Sequence, residues 1–131
     1  MGILASSRPI TFILTRDRSV TLPFYRDVLG CTLVFQDGFA AVFDLGGVTM
    51  RLTDVQDHQP HPHTVIGWEV ADIEAAVTAL SANGVVFETY EGFGQDRLGI
   101  WSAPGGAARV CWFKDPEGNV LSLTWVRPQQ E

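Results

Sequence analysis

Short apolar runs bounded by turn residues alternate with two stretches of helical spacing, and the order repeats along the chain. In the first half, Ile10-Thr11-Phe12-Ile13-Leu14-Thr15 reads as a strand and leads through Asp17-Arg18-Ser19 into a helical stretch from Val20 to Leu29. Gly30 ends that stretch, and strands are predicted over Cys31–Phe35, Phe39–Leu45 and Val48–Thr53. In the second half, Val65–Val70 leads to Asp72 and a helix in which Ile73, Ala76, Val77 and Leu80 stand at i, i+3, i+4 and i+7. Asp72 is suited to cap its N-terminus and Gly84 to end it, with strands following over Val85–Glu88, Arg109–Phe113 and Val120–Trp125.

Each half therefore reads as β-α-β-β-β. The second adds a strand candidate, Leu98–Ala103, before the turn Pro104-Gly105-Gly106. In the first helix Asp17 or Ser19 is the expected cap, Pro23 falls in the opening turn, and Leu22, Tyr25 and Leu29 share a face. The modules run over about 8–56 and 63–127, with a linker, Asp57-His58-Gln59-Pro60-His61-Pro62-His63, whose prolines predict an exposed extended connection. A sheet with a helix on one face leaves the other bare, so the expected architecture is α+β, with two mixed sheets facing each other around a cleft.

Composition narrows the setting. With 131 residues, 46% hydrophobic and 18% charged, the chain has the make-up of one globular domain, and it contains no run of 18 apolar residues to cross a bilayer. The first residues lack a basic leader and a secretory apolar stretch, which gives the cytoplasm as the expected compartment. A net charge of −6 without a basic block speaks against nucleic acid as a partner. Cys31 and Cys111 lack metal-type spacing and read as small buried hydrophobes.

Two motifs carry a resemblance: Phe113-Lys114-Asp115-Pro116-Glu117-Gly118-Asn119 followed by Val120-Leu121-Ser122-Leu123-Thr124, and Phe24-Tyr25-Arg26-Asp27-Val28-Leu29-Gly30. Together with the repeated plan they resemble the vicinal oxygen chelate superfamily of glyoxalases, extradiol dioxygenases and bleomycin-resistance proteins. In metal-dependent members the resemblance implies histidine on the first strand of a module and carboxylate or amide on the last. Those positions fall here on Ile10 and Val65, on Ser122, and on Met50 or Arg51. None matches the imidazole and carboxylate donors that such metals prefer, and a shift by one residue restores no site. The expectation is no metal and no cofactor.

Strand alternation then assigns cleft-facing groups: Phe12 and Leu14 in the first half, and Gly67, Glu69, Val120, Ser122 and Thr124 in the second, with Trp101 as a candidate wall. The resemblance puts Cys111 and Phe113 on the core side, which implies Val110 and Trp112 toward the cleft. The candidate ligand-binding set is Phe12, Leu14, Arg51, Glu69, Trp101, Trp112 and Ser122, while Ile10, Val65 and Ser122 are degenerate metal positions. Trp68 and Trp125 are assigned to the core by parity. Tyr90 with Glu91 offers an acid and a base, a role that nothing in the spacing requires, and His58, His61 and His63 offer a metal-binding tract for which surface linker is the preferred reading.

The resemblance implies a metal-free binder of a small, partly aromatic molecule, such as an antibiotic or metabolite, in the manner of bleomycin-resistance proteins. The alternatives are a metal-dependent lyase, isomerase or dioxygenase of the same superfamily, and a non-catalytic accessory subunit. A homodimer is expected, because bare sheet faces invite a second copy.

Overall fold

The computed structural model describes residues 2–129. The chain divides at Gln59/Pro60 into two compact units. The first contains β1 (Ile10–Thr15), α1 (Arg18–Pro23), β2 (Thr32–Gln36), β3 (Ala40–Asp44) and β4 (Thr49–Asp54). Its sheet has the order β1-β4-β3-β2, with β1 parallel to β4 and the other pairs antiparallel. The second contains β5 (Thr64–Glu69), α2 (Ile73–Ala82), β6 (Trp101–Ser102), β7 (Ala108–Lys114) and β8 (Val120–Val126), in the order β5-β8-β7-β6. Here β5 is parallel to β8 and the rest antiparallel, so both sheets are mixed and the fold is α+β.

In the first unit the helix lies against β3 and β4. The side chains of Ile13, Met50, Leu52 and Phe43 share the helix-facing side with Tyr25, all at most 1% exposed. A Thr15–Thr21 hydroxyl pair at 2.9 Å satisfies two polar groups within this core. Asp17 is the cap, since its carboxylate accepts from the Ser19 amide at 3.0 Å.

The helix begins at Arg18, two residues before the expected start, which places Pro23 at the end of the α-helical segment instead of in its opening turn. A proline there lacks the amide for an i→i−4 bond, and its ring crowds the carbonyl four residues back. The chain answers by widening into a π turn over Phe24–Val28, where the Leu29 amide bonds the Phe24 carbonyl at 2.9 Å.

In the second unit, Asp72 accepts from the Ala75 amide at 3.0 Å and caps α2. Ile73 and Val77 are the helix's buried residues, and Leu121, Leu123, Cys111 and Phe113 form the sheet side of that core.

The expected strand Val85–Glu88 does not form. The backbone of this segment meets β7 through a single bridge, Phe87 to Phe113, and an amide bond from Glu88 to the Trp112 carbonyl at 2.8 Å. The Leu98–Ala103 candidate contracts to Trp101–Ser102, paired with Val110 and Arg109. Two short attachments thus share the β7 edge that one strand would have filled. Three glycines at positive φ, Gly92, Gly94 and Gly99, bend the intervening chain away from strand geometry.

The Asp115–Asn119 turn joins β7 to β8 through a buried network. Asp115 accepts from the amides of Glu117 at 2.9 Å and Asn119 at 3.1 Å, and from the Asn119 side chain at 2.9 Å. The motif is accounted for by its own hydrogen bonding.

Candidate ligand-binding faces

Strand register fixes which side chains share the face opposite each helix. In the first unit Phe12, Arg51, Val42 and Phe35 form one row across all four strands. Phe12 is 57% exposed and Ile10 52%. Of the two residues left open, Met50 is fully buried on the helix side, and Arg51 stands on the open face.

Arg51 is already engaged, since its Nη2 meets Asp37 Oδ2 at 2.7 Å. That guanidinium, followed by the amides of Phe39 and Ala40, lowers the Asp37 carboxyl to about 2. The first face therefore offers hydrocarbon around a neutralised ion pair.

In the second unit Gly67, Ser122 and Trp112 form the middle row, with Glu69, Thr124, Val110 and Trp101 in the next. Trp68 and Trp125 pair with Leu123 and Arg109 on the helix side, both half-buried. A bulge in β5 takes Val65 out of the ladder, so the residue directly beside Ser122 is Gly67. A Cβ on Gly67 would overlap the Ser122 hydroxyl, so the side chain of Ser122 lies over the glycine.

The positions expected to hold a vicinal oxygen chelate metal carry no imidazole or carboxylate. Ile10 and Val65 have no lone pair, Ser122 presents a neutral hydroxyl, and Arg51 is a cation. Among the described residues no group of three or more His, Cys, Asp or Glu is placed to hold a metal ion. His61 and His63 stack on each other, ring centroids 5.6 Å apart.

Beside Trp112 the second face deepens into a recess of about 320 Å3, lined by Pro62, His63, Thr64, Tyr90, Phe93, Trp112 and Val120. Tyr90, Phe93 and Trp112 form a closed triangle of rings. Their centroids are 5.4 Å apart for Tyr90–Phe93, 5.6 Å for Tyr90–Trp112 and 5.8 Å for Phe93–Trp112, and the two tryptophan contacts are edge-to-face.

Of the residues singled out from sequence for ligand contact, the recess takes in Trp112. Phe12, Leu14 and Arg51 belong to the first unit's face, while Trp101, Glu69 and Ser122 lie on the second face outside the recess lining. Glu69 is two strands across from β7 and a row away, roughly 10 Å by strand spacing, so it is not part of the recess wall.

Sequence reading missed Phe93, and it weighed Tyr90 only as an acid beside Glu91, whereas the structure puts its ring against Phe93 and Trp112. An aromatic between two glycines, Gly92-Phe93-Gly94, was the available signal. Elsewhere Glu88 pairs with Lys114 at 3.6 Å, and Asp96 with Arg109 at 3.6 Å. Both cysteines are free, and burial pushes each thiol up to about 11.

Two mixed-sheet units, each with one helix and an open face, define an α+β protein of repeated β-α-β modules. The sequence model of the Glyoxalase/Bleomycin resistance protein/Dioxygenase superfamily matches residues 9–123, and the chain belongs to that superfamily.

Its fold is similar to that of lactoylglutathione lyase from Agrobacterium tumefaciens, with a TM-score of 0.70 and 19% identity, covering 92% of this chain and 93% of that one. A genomically encoded fosfomycin resistance protein from Listeria monocytogenes gives a TM-score of 0.73 at 13% identity, covering 93% and 94%. A superfamily member from Sphaerobacter thermophilus gives 0.72 at 22% identity, covering 94% and 99%. At these identities the likeness concerns the fold alone.

An uncharacterized protein of Mycolicibacterium smegmatis is 38% identical over 72 residues, which is 53% of this chain and 60% of that relative's length. None of the helices among the described residues is long and apolar enough to cross a membrane.

Proposed function

We propose that the protein binds a small, partly aromatic molecule without a metal, in the recess of the second unit. The observation that carries this reading is the triangle of Tyr90, Phe93 and Trp112 beside an open volume of about 320 Å3. Ring faces and edges recognise a planar group by stacking, and they attract a cation where one is attached to it. Ile10, Val65, Arg51 and Ser122, which stand where the superfamily's metal ligands are expected, supply neither imidazole nor carboxylate, and this supports a binder over a metalloenzyme. An antibiotic or a planar metabolite fits the recess chemistry, and the similarity to a fosfomycin resistance protein is compatible with the first.

The second unit is the ligand-holding half of this reading. The first unit's face, with Ile10, Phe12 and Phe35 each more than half exposed, is suited to cover by a second copy in a homodimer. The cytoplasm is the proposed compartment.

Metal analysis of untagged protein and a thermal-shift screen of planar aromatic compounds test the function together. The expected result is no stoichiometric metal and a ligand-dependent rise in melting temperature. One metal per chain, required for binding, overturns the reading and restores the lyase, isomerase or dioxygenase alternative. Sedimentation tests the dimer, and a 14.4 kDa species across micromolar concentrations contradicts it.

A further inference from the structure

The aromatic triangle is built from two parts of the chain that differ in secondary structure. Trp112 is fixed in β7, whereas Tyr90 and Phe93 stand on the segment that replaces the missing edge strand. Phe93 is 47% exposed and lies between Gly92 and Gly94, both at positive φ.

One side chain holds this segment closed at its base. Gln95 Oε1 accepts from the Tyr90 amide at 2.7 Å, and its Nε2 donates to the carbonyls of Glu88 at 2.9 Å and Gly99 at 2.7 Å. Glu88 is itself bonded through its amide to the Trp112 carbonyl. Gln95 thus connects the chain bearing Tyr90 and Phe93 to the strand bearing Trp112, without lining the recess itself.

We propose that Gln95 is the positioning residue of the recess: its three-way amide clamp sets the aromatic wall before a ligand arrives. The proposal deepens the ligand-binding reading and rests on it for the affinity effect alone. A primary amide suits the place because one oxygen acceptor and two N–H donors match one amide and two carbonyls. A wall ordered in advance spares the ligand the entropy of ordering it.

The test uses Gln95→Ala and Gln95→Glu in the full chain. Two readouts need no ligand: hydrogen exchange at the Tyr90 amide, and the near-ultraviolet circular dichroism of Trp112, identified by its loss in Trp112→Phe. A third is calorimetric titration with N-methylquinolinium, a planar aromatic cation.

In Gln95→Ala the Tyr90 amide is expected to exchange at least ~10-fold faster and the Trp112 band to diminish. Affinity for the probe is expected to fall about 10-fold, while exchange in β7 and β8 stays unchanged. Gln95→Glu keeps the acceptor but sets a carboxylate oxygen against two carbonyls. It should behave like the alanine variant at neutral pH and recover in mild acid, where the protonated carboxyl regains a donor.

An unchanged band and affinity in Gln95→Ala overturns the proposal. So does a uniform rise in exchange through β7 and β8, which makes Gln95 a residue of general stability. If the wild-type protein does not bind the probe, the ligand reading loses that support, while the two ligand-free readouts still decide the role of Gln95.

Discussion

The two units start from one plan and part at the edge of the sheet. In the first, β2 fills the edge as a five-residue strand and a tight turn held by Asp37 returns the chain to β3. In the second, the backbone after α2 pairs with β7 at Phe87 and Glu88, leaves the ladder, and pairs with it again at Trp101. The released segment carries Tyr90 and Phe93 to Trp112. The first face has a neutralised ion pair at Arg51 and exposed hydrocarbon, and the second has an aromatic recess. An interrupted edge strand converts a structural repeat into a candidate binding site.

The strongest way to break this comparison is through the cores, where the units are predicted to be alike. Phe43→Ala and Phe113→Ala each remove a fully buried ring and should each cost ~3–5 kcal/mol, read from denaturant midpoints. A near-neutral result for one would mean that its unit is not packed as described.

Gly67 sharpens the contrast next, because the close approach to Ser122 has no equivalent at Phe12 beside Arg51. Gly67→Ala should destabilise by ~1–3 kcal/mol, and adding Ser122→Ala should recover part of that loss. The Ser122 carbonyl, 3.2 Å from the added methyl, keeps the recovery incomplete. Additive effects of the two substitutions would contradict the placement.

A smaller effect separates the units by acid. Asp37 titrates at about 2 when folded, against an ordinary 3.8, chiefly because the Arg51 guanidinium bonds it. A depressed folded value stabilises above the unfolded value, and that contribution is lost as pH falls through the folded one. Stability should therefore decline between pH 3.8 and about 2, and Asp37→Asn should remove this part of the decline. An unaltered acid profile in the variant would count against the ion pair.

The smallest expected difference is at the thiols. Burial raises both Cys31 and Cys111 to about 11, so neither should be alkylated appreciably at neutral pH until the protein is unfolded. Rapid labelling of folded Cys111 would show that the second core is open.

The fold was legible because its signals are periodic. Ile10–Thr15 emerges with its predicted limits, and the spacing of Ile73, Ala76, Val77 and Leu80 sets α2 with Asp72 as its cap. Parity also put Ser122 on one face and Trp68 on the other, and Trp112 shares the face of Ser122, as the family resemblance implied.

What escaped depends on geometry without a period. The bulges at Val34 and Val65 change register without a composition signature. Val85-Val86-Phe87-Glu88 has strand-like residues yet forms one bridge, because propensity does not supply the neighbouring ladder bonds. Gln95 looks like an ordinary polar loop residue until its three partners converge on it.

The central claim is that the ring triangle of the second unit binds a planar molecule without metal. Its most direct test is calorimetric titration of metal-stripped protein with N-methylquinolinium, comparing wild type with Trp112→Ala and with Phe12→Ala on the first face. The account predicts saturable binding by wild type and Phe12→Ala, and a loss of roughly 1–3 kcal/mol, about 5- to 150-fold in affinity, in a folded Trp112→Ala. Equal affinity in all three proteins, or binding that appears only when a divalent metal is restored, would contradict it.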